Sequence, residues 1–227
     1  MVALAALLVL LAAGGAVLWR GRAAAARRAA MLRPCLALLA EPAEGRDGAG
    51  FPTLDGRFEG LAVAIRLIPE AVAFRRLPQL WLSVSVHAQT GQPATLDVLR
   101  RVAGAEFYAP ADDLPRRLPA PEGLPGDAYL RGTRQAEHLL AALAPHLAQL
   151  LADARVKEVL VTPRGVRIVA QLCEGERGAY LLLRESRFAL TEIDPATLVP
   201  HLARAAALAR HVTREGGAHA PGTRAAA

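Results

Sequence analysis

The sequence predicts an α+β fold: one mostly antiparallel sheet packed against two longer helices, preceded by an N-terminal single transmembrane helix. Three observations predict it. Apolar residues recur at period two over 61–67, 80–86 and 166–172, the signature of strands with one covered face. Two stretches, 133–152 and 198–212, carry apolar stripes at helical spacing that can cover such a sheet. Val2 to Trp19 is an unbroken apolar run with no charge and no proline.

That run sets the first element. Eighteen helical residues reach about 27 Å, close to the hydrocarbon thickness of a bilayer. Trp19 stands where an interfacial aromatic would, and Arg20, Arg22, Arg27, Arg28 and Arg33 follow with no acid in 1–34. Nothing basic precedes the run, so a cleaved signal peptide is disfavoured and a retained signal-anchor is expected. Residues 1–33 therefore read as a single-pass anchor with a basic juxtamembrane segment. Arg20, Arg22, Arg27 and Arg28 are the candidate contacts to anionic lipid headgroups, each worth about 1 kcal/mol near a charged leaflet. Arginine on this flank opposes translocation, which places the main domain in the cytoplasm at a cell membrane. A reducing cytosol would keep Cys35 and Cys173 unpaired.

Residues 34–53 read as a linker, because Glu41 to Pro52 is dense in Gly, Pro and charge. The α+β domain is expected over 54–212. It opens with Asp55, Arg57 and Glu59 alternating with apolar neighbours, then Leu61, Val63, Ile65 and Leu67; Glu59-Gly60 between them is a tight bend or a bulge. Leu80, Leu82, Val84 and Val86 form the next strand, and 95–102 reads as a short helix. A Pro-rich loop, 109–126, separates the two halves. The helix over 133–152 follows, with Pro145 inside it. Val156 to Cys173 reads as a hairpin turning at Thr162-Pro163-Arg164-Gly165, and 179–183 as a further strand. Asp194-Pro195 has the form of an N-cap with proline at the first helical position, and 213–227 reads as a disordered tail. Three strands and a helix in each half hint at a duplication, but no residue pattern recurs.

Composition excludes several function classes. Two cysteines cannot build a disulfide framework or a four-thiolate zinc site. The formal charge of +6 sits at the ends of the chain; between 35 and 203 acids outnumber bases by two. Such a domain offers no broad phosphate footprint, so nucleic-acid binding could involve only the basic tail and is not expected. Lys157 is the one lysine and asparagine is absent, so the arginine excess partly reflects a GC-rich bacterial genome.

Motifs for chemistry are also missing. His138 and His146 are eight apart, and His201 and His211 ten, which puts each pair on different helix faces rather than on one metal. The serines lie in no G-x-S-x-G elbow, and no glycine-rich phosphate loop is present. Asp112-Asp113 and Glu174 with Glu176 read as solvated loop and turn acids. No catalytic, cofactor-binding or metal residue is assigned, and no cofactor is expected. The leading expectation is a membrane-anchored, non-enzymatic domain acting through contacts with a protein partner, as an accessory or scaffold of an envelope complex. The alternative is a membrane-bound enzyme or small-ligand sensor whose site gathers dispersed polar residues such as Asp55, Glu59, Arg66 and Glu174.

Overall fold

The computed structural model describes residues 2–70, 76–102, 106–183 and 186–218, with side chains from Gly14 onward except Val17, Arg20, Leu183, Gly217 and Ala218. Helix α1 spans Val2–Ala29 and a 3-10 turn follows at Arg33–Leu38. Five strands come next: β1 Ala40–Arg46, β2 Pro52–Phe58, β3 Leu61–Pro69, β4 Gln79–His87 and β5 Leu96–Arg100. After a short 3-10 turn at Ala111–Asp113 come β6 Arg116–Leu118, β7 Ala128–Gly132 and helix α2 Ala136–Leu151. The chain continues with β8 Val156–Thr162, β9 Gly165–Glu174, α3 Arg177–Leu183 and α4 Pro195–Ala218.

All nine strands join one sheet in the order β1-β2-β3-β4-β9-β8-β5-β7-β6. Every pairing is antiparallel. The order threads β5 between β8 and β7, so strands of the two sequence halves interleave rather than repeat as units.

Register explains which residues meet. Val63, Ile65 and Leu67 lie opposite Val86, Val84 and Leu82, which in turn lie opposite Val166, Ile168 and Ala170. These side chains make one apolar face, buried beneath α2 and α4. Leu139, Leu140, Leu143, Leu147, Leu150 and Leu151 are the buried stripe of α2, and the helix runs through Pro145. Asp194 caps α4 as its sequence implies, accepting from the Ala196 amide at 2.8 Å.

Turn chemistry fixes two hairpins. Glu59 and Gly60 both have positive φ, 48° and 82°, so β2 and β3 join by a two-residue turn rather than a bulge. Gly165 has φ of 146°, and a Cβ there would lie 2.0 Å from the Val86 carbonyl, so only glycine lets β9 start this close to β4.

Several sequence expectations are corrected here. Among the described residues no helix is long and apolar enough to cross a membrane. The transmembrane helix expected over 2–19, and the single-pass signal-anchor built on it, are therefore not supported. The helix does not stop at the apolar run: it continues to Ala29, and its foot is fastened to the domain. Met31 accepts from the Ile193 amide at 2.8 Å, Cys35 donates to the Ile193 carbonyl at 3.3 Å, and Met31 and Leu32 are buried. The Arg28 guanidinium turns inward over the Phe51 ring, 5.2 Å from its centroid.

The remaining differences are local. Residues 40–46, expected within a linker, form edge strand β1, exposed along its whole length. Residues 96–100 are strand rather than helix, because Leu96, Val98 and Leu99 are buried between β8 and β7. Residues 177–183 are helix rather than strand. Helix α4 extends into the tail as far as Ala218, and 219–227 lie outside the described residues.

Candidate functional site

The dispersed polar residues picked out in the sequence do not converge. Asp55 and Arg66 pair across β2 and β3 at 2.8 Å, both partly exposed. Glu59, at the hairpin tip, pairs with Arg210 of α4 at 2.6 Å. Glu174 closes β9 beside Gln79, whose amide donates to it at 3.4 Å. Asp112 and Asp113 are exposed in a 3-10 turn. Among the described residues no group of three or more His, Cys, Asp or Glu could hold a metal ion. Tertiary packing does bring His146 of α2 and His211 of α4 together, with ring centroids 4.0 Å apart. Spacing within one helix could not show that pairing.

Two features were not visible in the sequence. The first is a buried charged network on the second face of the sheet. Asp97 of β5, Lys157 and Glu158 of β8 and Arg167 of β9 point away from the helices, and the 106–114 segment covers them. Asp97 and Glu158 are 0% exposed and Lys157 1%. Arg167 holds Glu158 by both oxygens, Nε to Oε2 at 2.8 Å and Nη2 to Oε1 at 2.7 Å, and its Nη2 also donates to the Tyr108 carbonyl at 2.8 Å. Lys157 pairs with Glu106 at 2.7 Å and donates to the Arg101 carbonyl at 2.6 Å.

Asp97 is the exception within this network. Among the described residues nothing donates a hydrogen bond to either of its oxygens. Burial, reinforced by the neighbouring Glu158, pushes its pKa up to about 8. Burial also raises Glu158, against the lowering pull of Arg167. A site this closed to solvent offers no substrate a path, so the network reads as a fastening for the covering segment.

The second feature is an open groove of about 1080 Å³ between the C-terminal half of α1 and the 186–191 segment. Its apolar lining comes from Met31, Phe51, Phe188 and Leu190, with Trp19 at the rim. Among the described residues, Arg27, Arg28, Arg187 and Glu176 are the charged groups of the lining. The 186–191 wall is fixed in place: Phe188 bridges to Gly175, the Arg187 carbonyl accepts from the Glu176 amide at 2.7 Å, and Ser186 donates to the Glu70 carbonyl at 3.2 Å. Trp19 is 70% exposed, and Leu18 beside it and Leu181 and Leu182 of α3 are exposed as well. Of the arginines expected at a headgroup layer, Arg27 and Arg28 line this groove, whereas Arg22 is exposed outside its lining.

No protein-family model matches the chain, and no curated protein matches it. Among solved structures, the crystal structure of the mycobacterial trehalose monomycolate transport factor A, TtfA, is similar at 10% identity, covering 76% of this chain and 86% of that chain, with a TM-score of 0.39. A likeness of that extent assigns no role to any residue of the groove or the network.

Proposed function

We propose that this protein is a non-enzymatic contact module that holds an acidic, amphipathic segment of a protein partner in the α1 groove. The observation that supports it is the groove itself: an apolar floor, a tryptophan left 70% exposed at its rim, and the Arg27 and Arg28 side chains of α1 along its lining. Tryptophan and arginine are the side chains most enriched where protein interfaces gain their energy, and water excluded from such a floor adds to it. Positive lining selects a partner of opposite charge and speeds its encounter. An accessory or scaffold role in an envelope complex is compatible with this reading. The groove, not the likeness to a solved structure, motivates the proposal.

The test is photo-crosslinking in the producing cell, with a benzophenone amino acid at Trp19 and, as control, at Phe107, which is 72% exposed elsewhere on the surface. Discrete protein adducts from position 19 alone, reduced by Arg27→Glu and Arg187→Glu, are expected. Adducts to lipid only, as an anionic headgroup surface at Arg20, Arg22, Arg27 and Arg28 would give, would overturn the reading. Equal protein adducts from both positions would do the same.

A further inference from the structure

Three cationic side chains of the sheet tie down the covering segment 106–114, which also buries Ala111 and Leu114. Arg167 donates to the Tyr108 carbonyl at 2.8 Å, and Arg131 of β7 donates to the Leu114 carbonyl, through Nε at 2.9 Å. Lys157 supplies the third tie, to Glu106. Asp97 lies between the first two. It is the direct register partner of Arg131 across β5 and β7, and its carboxyl feels both Glu158 and Arg167. The Arg167 guanidinium thus acts on a buried carboxyl without bonding it, being held instead by Glu158 and by the Tyr108 carbonyl.

That arrangement is stable only if Asp97 carries no charge. An ionised carboxylate buried with no donor, beside Glu158, is strongly disfavoured, and Arg167 offsets only part of that cost. It would draw the Arg167 Nη2 away from the Tyr108 carbonyl it now holds, because a charged acceptor binds a guanidinium more strongly than a neutral one. We propose that Asp97 is a proton-held latch: protonated, it leaves Arg167 to fasten the 106–114 segment over the sheet, and on losing its proton it takes that guanidinium and releases the segment.

The groups that face Asp97 all enter this balance. They are Lys157 and Glu158 of β8, Arg167 of β9, Arg131 and Tyr129 of β7, and Glu106, Tyr108, Asp112 and Asp113 of the segment, with Glu70 and Arg76 beyond. Asp112 and Asp113 are exposed. Glu106 is held by Lys157, and burial raises Tyr108 further from ionisation. Of the groups acting on Asp97, Glu158 is also raised by burial but is held by both Arg167 bonds, which leaves Asp97 as the carboxyl without a hydrogen-bond partner among the described residues.

The sign follows from linkage. In the closed form Asp97 keeps its proton to about pH 8, whereas in the open, hydrated form it ionises in the ordinary carboxylate range. Closure is therefore strongest at acid pH, weakens about tenfold per pH unit as pH rises towards 8, and levels off above it.

Ala111, 4% exposed in the covering segment, gives the readout as Ala111→Cys. Its labelling rate is followed from pH 6 to 9 by site-resolved mass spectrometry and divided by the rate of the same thiol in denatured chain. The expected result is a roughly tenfold rise per pH unit that flattens above pH 8. Added Asp97→Asn should remove the slope and hold labelling at its acid-pH level, while Glu158→Gln should keep the slope and shift its end to lower pH. Three outcomes overturn the latch. They are an unchanged slope with Asp97→Asn, loss of the slope with Glu158→Gln alone, or faster labelling of Asp97→Asn at every pH, which would mean that an ionised Asp97 holds the segment closed.

Discussion

The two faces of the sheet solve the same burial problem with opposite chemistry. Under α2 and α4 the sheet presents Val, Ile and Leu, whose contacts are non-directional and need no partner. Under the 106–114 segment it presents Asp97, Lys157, Glu158 and Arg167, where each group depends on a named partner at hydrogen-bond distance. The first face tolerates adjustment and supplies stability. The second is all-or-none, since a missing partner leaves a buried charge behind. Where the second face runs out to β2 and β3 it becomes an ordinary surface, with Asp55 and Arg66 paired in partial contact with water.

Breaking the second face should be the costlier experiment. Arg167→Ala strands Glu158, 0% exposed, without its bidentate partner, and a loss of about 3–5 kcal/mol is expected in equilibrium denaturation. The double variant Arg167→Met with Glu158→Leu should recover most of it, because two apolar groups need no partner. A double variant as unstable as the single one would show that the pair does more than neutralise itself.

On the apolar face, Leu143→Ala in α2 should cost about 2–5 kcal/mol, set by how far α2 and α4 can close the cavity. This loss should not change with pH between 6 and 9, and its urea midpoint at both ends of that range is the check.

A smaller effect is expected at acid pH from the helix layer. Burial lowers the pKa of His201, and burial followed by the charge of His211 lowers that of His146. Both groups are neutral when folded, and the unfolded chain takes up protons as pH falls through about 6.5. Stability should therefore decline below that pH and level off once the folded imidazoles also protonate. His201→Gln should flatten part of the decline in thermal unfolding between pH 7 and 5; an unaltered slope would exclude His201 as a contributor. Smallest of all is the surface end of the charged face. Asp55→Asn should cost under about 1 kcal/mol, and even that should fade in high salt.

Legibility divides along the same line. The strands at 61–67, 80–86 and 166–172, the stripes of α2 and α4, and the Asp194 cap were plain, because each is a periodic or local signal carried by contiguous residues. Residues 96–100 were missed as a strand since Leu96-Asp97-Val98-Leu99 is too short to show a period and gains its identity from β8 and β7 on either side. The N-terminal run was over-read, since apolarity alone does not reveal that the helix continues to Ala29 and turns Arg28 onto Phe51. Asp97, Glu158 and Arg167 carried no motif; in the sequence each was one charged residue among many.

What the sequence determined by itself is the set of elements and the apolar face they bury, since period and composition depend only on neighbours along the chain. The strand order that puts β5 between β8 and β7, the register that sets Asp97 opposite Arg131, and the meeting of α1 with 186–191 were decided by the tertiary structure. Charges act through space, and 61 to 70 residues of chain separate Asp97 from the Glu158 and Arg167 that govern its proton. No local pattern can encode that distance; only the folded sheet closes it.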